Sequence, residues 1–216
     1  MPSQSTPKNG ARFRRRLLAW FRTAGRDLPW RRTRDPYRVL VSEFMLQQTQ
    51  VSRVLDFYPR FLKRYPDLAS LARARPRAVR EAWDGLGYYR RAANLHRLAR
   101  EVVRRHAGAL PSDPAELEAL PGVGPYTAGA VATFAYEKPA AAVDTNVRRV
   151  LGRVFGCRTA KDTRTTASAL QPRRGKTAWS FNQALMELGA LVCTARAPKC
   201  GECPVRQYCH WYLTNS

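Results

Sequence analysis

Apolar residues recur along this chain at intervals of three and four, the period of a helix with one buried face, and strand-like alternation is scarce. Phe13, Leu17 and Phe21 fall four apart and predict an amphipathic first helix over 11–24. Pro36, Pro59, Pro66, Pro76, Pro111, Pro114, Pro121, Pro125 and Pro139 then punctuate the pattern, leaving room for helices of about 8 to 16 residues. An all-α fold with short connections follows. The apolar run Leu17 to Phe21 is bounded by arginines and falls far short of the roughly 18 residues of a membrane span, so no membrane partner is expected.

Charge narrows the partner. Thirty-eight Lys and Arg against sixteen Asp and Glu give a formal charge of +22, while 44% of the residues are hydrophobic. A chain that folds and is this basic is matched to a polyanion. Its 216 residues suit one large domain or two small lobes. The first 26 residues hold no acid and carry Ser3, Ser5 and Thr6, an outward likeness to an organelle transit peptide. The Phe13, Leu17, Phe21 stripe argues instead for a folded helix behind a disordered basic tail over 1–10.

Three stretches break the helical pattern. The first is Gly85-Leu86-Gly87-Tyr88-Tyr89. The second, Leu120-Pro121-Gly122-Val123-Gly124-Pro125-Tyr126, lies between a helix capped from Ser112 or Asp113 and one running from Thr127 to Phe134. A glycine turn of this kind aims backbone N–H groups out of the start of the second helix, where the dipole also favours an anion. Such a turn can hold a DNA phosphate without reading sequence. The third is the cysteine-rich end, where Cys193, Cys200, Cys203 and Cys209 are separated by six, two and five residues. Nothing resembles a secretory signal, which argues against disulfides. Four thiolates suit zinc, although structural zinc sites usually use two close pairs, and only Cys200-x-x-Cys203 is one. Cys157 stands apart and reads as a small buried hydrophobe.

Two carboxylates stand out. On a helix expected from Tyr37 to about Leu55, Glu43 shares a stripe with Val39, Leu40, Leu46 and Gln47. An acid among aliphatic neighbours is pushed toward a raised pKa, which suits a proton donor. Asp144 follows the apolar run Ala140 to Val143 and precedes Thr145-Asn146-Val147, the position of a helix N-cap. A helix N-terminus favours the ionised carboxylate.

The strings Leu28-Pro29-Trp30-Arg31, Ser42-Glu43-Phe44-Met45-Leu46-Gln47-Gln48-Thr49-Gln50, Gly85 to Tyr89, Leu120 to Tyr126, Val143-Asp144-Thr145-Asn146-Val147-Arg148-Arg149-Val150 and the cysteine loop together resemble the MutY adenine-DNA glycosylases, in that family's order and over about residues 13 to 211. The likeness implies a helix-hairpin-helix glycosylase fold of the endonuclease III superfamily, with a four-iron four-sulfur (4Fe-4S) cluster on Cys193, Cys200, Cys203 and Cys209. It implies that Glu43 protonates adenine at N7 and then activates water, and that Asp144 stabilises or transiently captures the sugar cation with support from Asn146 and Tyr126. Arg31, Trp30 and Glu187 would form the base pocket. Gln48 and Tyr88, flanked by Leu46 and Gln47, would fill the duplex where the base leaves, and Gly122, Val123 and Gly124 would hold the backbone. Lyase relatives place a lysine where Tyr126 stands. A monofunctional enzyme is expected, because no Schiff base can form without the amine.

The sequence departs from that family at Thr145, where glycine is commoner, and it stops seven residues after Cys209, so the family's usual C-terminal 8-oxoguanine-recognition domain is expected to be absent. The length resembles the thymine or uracil mismatch glycosylases that act opposite guanine, and Gln47-Gln48-Thr49-Gln50 is what favours adenine. A non-catalytic DNA-binding module is the third alternative. The expected organisation is a six-helix barrel over 28–139 and a cluster lobe made of 11–27 and 140–216, with DNA in the cleft between them. The partner expected is double-stranded DNA containing a mispaired or damaged base, bound by a monomer in a prokaryotic cytoplasm.

Overall fold

The computed structural model describes residues 7–215, and every regular element among them is helical. In chain order these are α1 (Gly10–Ala24), a 3-10 turn at Pro29–Arg31, α2 (Pro36–Leu46), α3 (Val51–Arg64), α4 (Leu68–Arg73), α5 (Pro76–Ala82), α6 (Arg90–Arg105), α7 (Pro114–Glu118), α8 (Pro125–Phe134), α9 (Thr145–Phe155), α10 (Ala160–Leu170) and α11 (Gly175–Leu191). Two further 3-10 turns, Cys200–Glu202 and Arg206–Tyr208, lead to α12 (His210–Asn215). No described helix is long and apolar enough to cross a membrane. The chain divides into two units, one formed by Asp27–Tyr136 and the other by the residues up to Arg26 together with those from Glu137 onward.

The Asp27–Tyr136 unit holds α2 to α8, and its helices start where the sequence offers a cap and a proline. Asp35 accepts the Arg38 N–H at 2.9 Å ahead of Pro36, and Asp113 accepts the Ala115 and Glu116 amides at 2.8 and 3.3 Å ahead of Pro114. Pro76 and Pro125 likewise occupy first turns, where the missing N–H costs nothing. The prolines therefore open helices as often as they close them. Together with the Asp67–Ser70 capping box they cut the chain more finely than the spacing alone suggests. α4, α5 and α7 have six, seven and five residues, so several helical segments of this unit are no longer than two turns. Its core includes Trp83, which is fully buried and meets Phe61 edge-on at 5.6 Å, and the buried Leu71, Leu95, Leu98 and Leu117.

The continuous helix expected from Tyr37 to about Leu55 is broken. α2 stops at Leu46, Gln48 takes a left-handed φ of 54°, and α3 starts afresh at Val51. Gln47 therefore lies off the Glu43 stripe, at the C-cap of α2.

In the other unit α1 lays Phe13 and Leu17 into a core made by Val150, Leu151, Phe181 and Leu188, with Phe13 edge-on to Phe155 at 5.1 Å. The helix begins at Gly10, one residue before the expected start, and residues 1–6 of the expected tail lie outside the described residues. Cys157 is partly buried, its Sγ 3.3 Å from the Thr166 hydroxyl.

The turn between α7 and α8 has one position that only glycine fits. Gly122 has a φ of 76°, and a Cβ there would lie 2.6 Å from the Asn94 Cβ. Gly124 has a φ of -103° and open space around it. Gly122→Ala is expected to lower unfolding free energy by roughly 2–4 kcal/mol from left-handed strain plus overlap. Gly124→Ala should cost about 1 kcal/mol or less, as a cap substitution. Denaturant titration of both variants checks the pair, and equal losses would contradict this account of the turn.

Candidate active site and metal centre

Glu43 lies in the third turn of α2, only 4% exposed, between the core residues Val39 and Leu40 and the buried Phe44. A carboxyl taken out of water needs a donor. Tyr126, the second residue of α8, supplies one: its hydroxyl donates to Glu43 Oε2 at 2.7 Å. α2 packs directly on α8, and Gln47 Nε2 reaches Thr127 Oγ1 at 3.4 Å as a second tie. Val123 is 7% exposed, so its side chain belongs to the core.

Trp30 is also a core residue, 6% exposed and edge-on to Tyr58 at 5.6 Å, whereas Arg31 beside it is partly exposed. Gln48 and Tyr88 share an uncommon property. Both are non-glycine residues in the left-handed region, with φ of 54° and 47°, and Tyr88 is 60% exposed. Left-handed backbone at bulky residues persists only when the surroundings enforce it.

In the second unit Asp144 caps α9, accepting the Val147 N–H at 2.7 Å through Oδ1 and the Asn146 amide at 3.0 Å through Oδ2. Those donations lower its pKa, yet burial outweighs them and the net shift is upward. The cap geometry read from the sequence is present. Its electrostatic consequence is reversed, because desolvation of the carboxylate exceeds what the helix terminus returns. Arg149 extends the network: Nη2 donates to Asn146 Oδ1 at 2.7 Å and to the Gly189 carbonyl at 2.6 Å, and Nε donates to the Cys193 carbonyl at 2.7 Å. A Cβ on Gly189 would lie 2.6 Å from that of Asn146, so glycine is what lets α11 approach α9 here.

Glu187 has no exposed surface. Arg26 grips it with its backbone N–H at 2.8 Å and with Nε and Nη2, each at 2.9 Å. The guanidinium, 36% exposed, is the accessible end of this pair. Arg26, Arg91 and Arg149 escaped the sequence reading, since one arginine among so many carries no periodic signal.

Cys193, Cys200, Cys203 and Cys209 are free thiols that line one cavity together with Arg153, Trp211 and Tyr212. Burial pushes the Cys203 thiol up to about 11, and the other three thiols add to the shift. Four thiolates facing one another are tolerable only around cationic iron or zinc. Arg153 Nη1 lies 3.3 Å from Cys193 Sγ and 2.7 Å from the Thr194 carbonyl, bracing the loop.

The sequence matches the HhH-GPD superfamily base excision DNA repair protein family over residues 41–173, from the middle of α2 to beyond α10, with both candidate carboxylates inside. The chain belongs to that superfamily. Residues 193–209 match the iron-sulfur binding domain of endonuclease III, and the four cysteines hold a 4Fe-4S cluster. The chain is 48% identical over 202 residues to an adenine DNA glycosylase of Mycobacterium tuberculosis, covering 90% of this chain and 66% of that protein. It is 40% identical to a thymine-DNA glycosylase of Aeropyrum pernix, covering 93% of this chain and 94% of that one. The solved structure of a thermostable thymine-DNA glycosylase superposes with a TM-score of 0.88 at 32% identity, covering 96% of this chain and all of that one. This chain thus spans about two thirds of the mycobacterial relative's length.

Purified protein is expected to be yellow-brown and to carry iron at about four atoms per chain, by the cluster's composition. Elemental analysis reads this directly; stoichiometric zinc without iron would refute it.

Proposed function

We propose that this chain is a monofunctional DNA glycosylase that removes adenine mispaired with guanine or 8-oxoguanine, hydrolysing the N-glycosidic bond and leaving an abasic site. The observation that carries the reading is the buried Glu43 held by the Tyr126 hydroxyl. Loss of a purine requires a proton on the departing base and a negative charge near a sugar that becomes cationic. The Glu43 carboxyl, held by the Tyr126 phenol, gives its proton to adenine N7. The carboxylate left behind then takes a proton from the attacking water. Asp144, oriented by Asn146 and the Val147 amide, supplies the charge that stabilises the sugar cation. Tyr126 stands at the start of α8 and has no amine, so it cannot open a Schiff-base route to strand cleavage.

Arg31 and the Arg26–Glu187 pair serve the base pocket, the carboxylate acting through the guanidinium that covers it. Trp30 is held in the core next to Arg31 by its edge-on contact with Tyr58. Gln48 and Tyr88, with Leu46 and Gln47 behind them, occupy the space the base vacates, and the Gly122-Val123-Gly124 backbone holds a phosphate of the duplex. The excess of arginine supports binding of double-stranded DNA, here read as the work of a monomer in a prokaryotic cytoplasm.

A second reading, removal of thymine or uracil opposite guanine, is favoured by the match to nearly the whole Aeropyrum pernix enzyme. Chemistry separates the two, because thymine and uracil have no N7 to protonate. Glu43→Gln is expected to lose adenine excision by about 10²- to 10⁴-fold, the usual worth of a general acid, while duplex affinity stays near wild type. A panel of A:G, A:8-oxoguanine, T:G and U:G duplexes decides the substrate. Processing of T:G or U:G with both adenine pairs intact would overturn the adenine reading.

The upward shift at Asp144 sets a pH dependence. Catalysis needs the ionised form, so activity should fall as pH drops through a pKa above the ordinary carboxylate value. Asn146→Ala removes a donation that lowers this pKa, and the acid limb of the rate profile should then move toward neutral pH. Stability takes the opposite sign: the cost of keeping Asp144 ionised is present at neutral pH and vanishes as pH falls through the raised pKa to the unfolded value. A limb unmoved in the variant would remove Asp144 from this role.

A further inference from the structure

Arg91 is 7% exposed in the first turn of α6, where a cation opposes the helix dipole. Burial lowers its pKa, and no carboxylate offsets that shift. Carbonyls answer the charge instead. Nη1 donates to Phe44 at 3.0 Å, to Met45 at 2.8 Å and also to Gln47. These carbonyls lie at the C-terminus of α2, which has no basic residue in its last turn and would otherwise leave them unsatisfied. Nη2 donates to Thr49 Oγ1 at 3.0 Å, and to the Leu86 and Gly87 carbonyls at 3.2 Å each. The same guanidinium lies 5.4 Å from the centre of the Tyr88 ring.

One side chain thus ties the segment containing left-handed Gln48 to the segment containing left-handed Tyr88. Around it, Arg53 holds the Gly85 carbonyl at 2.8 and 3.1 Å, and the Trp83 indole donates to the Gly87 carbonyl at 3.2 Å. Those contacts reach one segment only; Arg91 reaches both. The geometry points to Arg91 as the positioning residue that keeps Gln48 and Tyr88 in register with each other, so that recognition of a target pair depends on a guanidinium buried beneath the surface that meets DNA. This rests on the reading of Gln48 and Tyr88 as the residues that fill the duplex.

Amide hydrogen exchange on the cluster-loaded full chain tests the tie itself. Hydrogen bonds to a charged donor each shift an opening equilibrium by roughly tenfold to a hundredfold, so Arg91→Lys should speed exchange in residues 47–50 and 85–89 together by at least about tenfold. The rest of the protein and the iron content should stay as in wild type. Thr49→Val removes one acceptor and should give a smaller rise of the same kind; it decides the matter if Arg91→Lys unfolds the unit. Loosening of one segment alone, or of neither, overturns the proposal.

Single-turnover excision from a duplex with one A:8-oxoguanine pair tests the consequence. Arg91→Lys should slow it about tenfold or more, with affinity for undamaged duplex unchanged, and should add nothing once Gln48→Ala and Tyr88→Ala are present. An additive loss would show that Arg91 acts elsewhere and overturns the proposal. Should the Gln48→Ala and Tyr88→Ala protein excise at the wild-type rate, the reading of those two residues fails, and exchange alone decides whether Arg91 joins the segments.

Discussion

Each α-helix leaves its first N–H groups and last C=O groups without partners inside the helix, and a chain folded into twelve mostly short helices multiplies such ends. The side chains that satisfy them include several with the strongest claim to chemistry here. Asp144 accepts the first-turn amide of α9, and Arg91 gathers the last carbonyls of α2. The glycine turn before α8 presents that helix's N-terminus, and Tyr126 sits one residue inside it. Helix ends bring polar backbone and side chains together where burial makes each hydrogen bond consequential. They are also the points at which a helical fold can approach an anion such as a phosphate.

Much of this was legible in the sequence because it is local. A cap acts within three residues, a glycine turn within four, and a cysteine loop within its own spacing, so Asp113, Asp144, Gly122 and the four cysteines announced their positions. The break of α2 after Leu46 did not. The string Leu46-Gln47-Gln48-Thr49-Gln50 has no proline or glycine to end a helix, and the carbonyls left at that end are taken by a guanidinium more than forty residues away. The Tyr126 to Glu43 bond spans 83 residues and the Arg26 to Glu187 pair 161. The stripe singled out Glu43 and the family resemblance pointed to Tyr126 and Glu187, but Arg26 went unnoticed and no periodicity could pair any of them.

Asp144 shows why magnitudes have to be compared. The sequence places it at a helix N-terminus, where a carboxylate gains about 0.3–1 kcal/mol. Desolvation is the larger effect once the group leaves water, and the net shift is upward despite the donors. The outcome is an acid at which the Val147 and Asn146 donations pull against burial, which gives Asn146 a task beyond shaping the turn.

The same dependence runs onward to the metal centre. Asn146 is itself held by Arg149, whose Nε is spent on the carbonyl of Cys193, the first thiol of the cluster loop. A rigid loop fixes that carbonyl, the carbonyl fixes the guanidinium, and the guanidinium fixes the amide that donates to Asp144. Arg149 therefore joins the cluster loop to the residue that orients the carboxylate through one chain of hydrogen bonds.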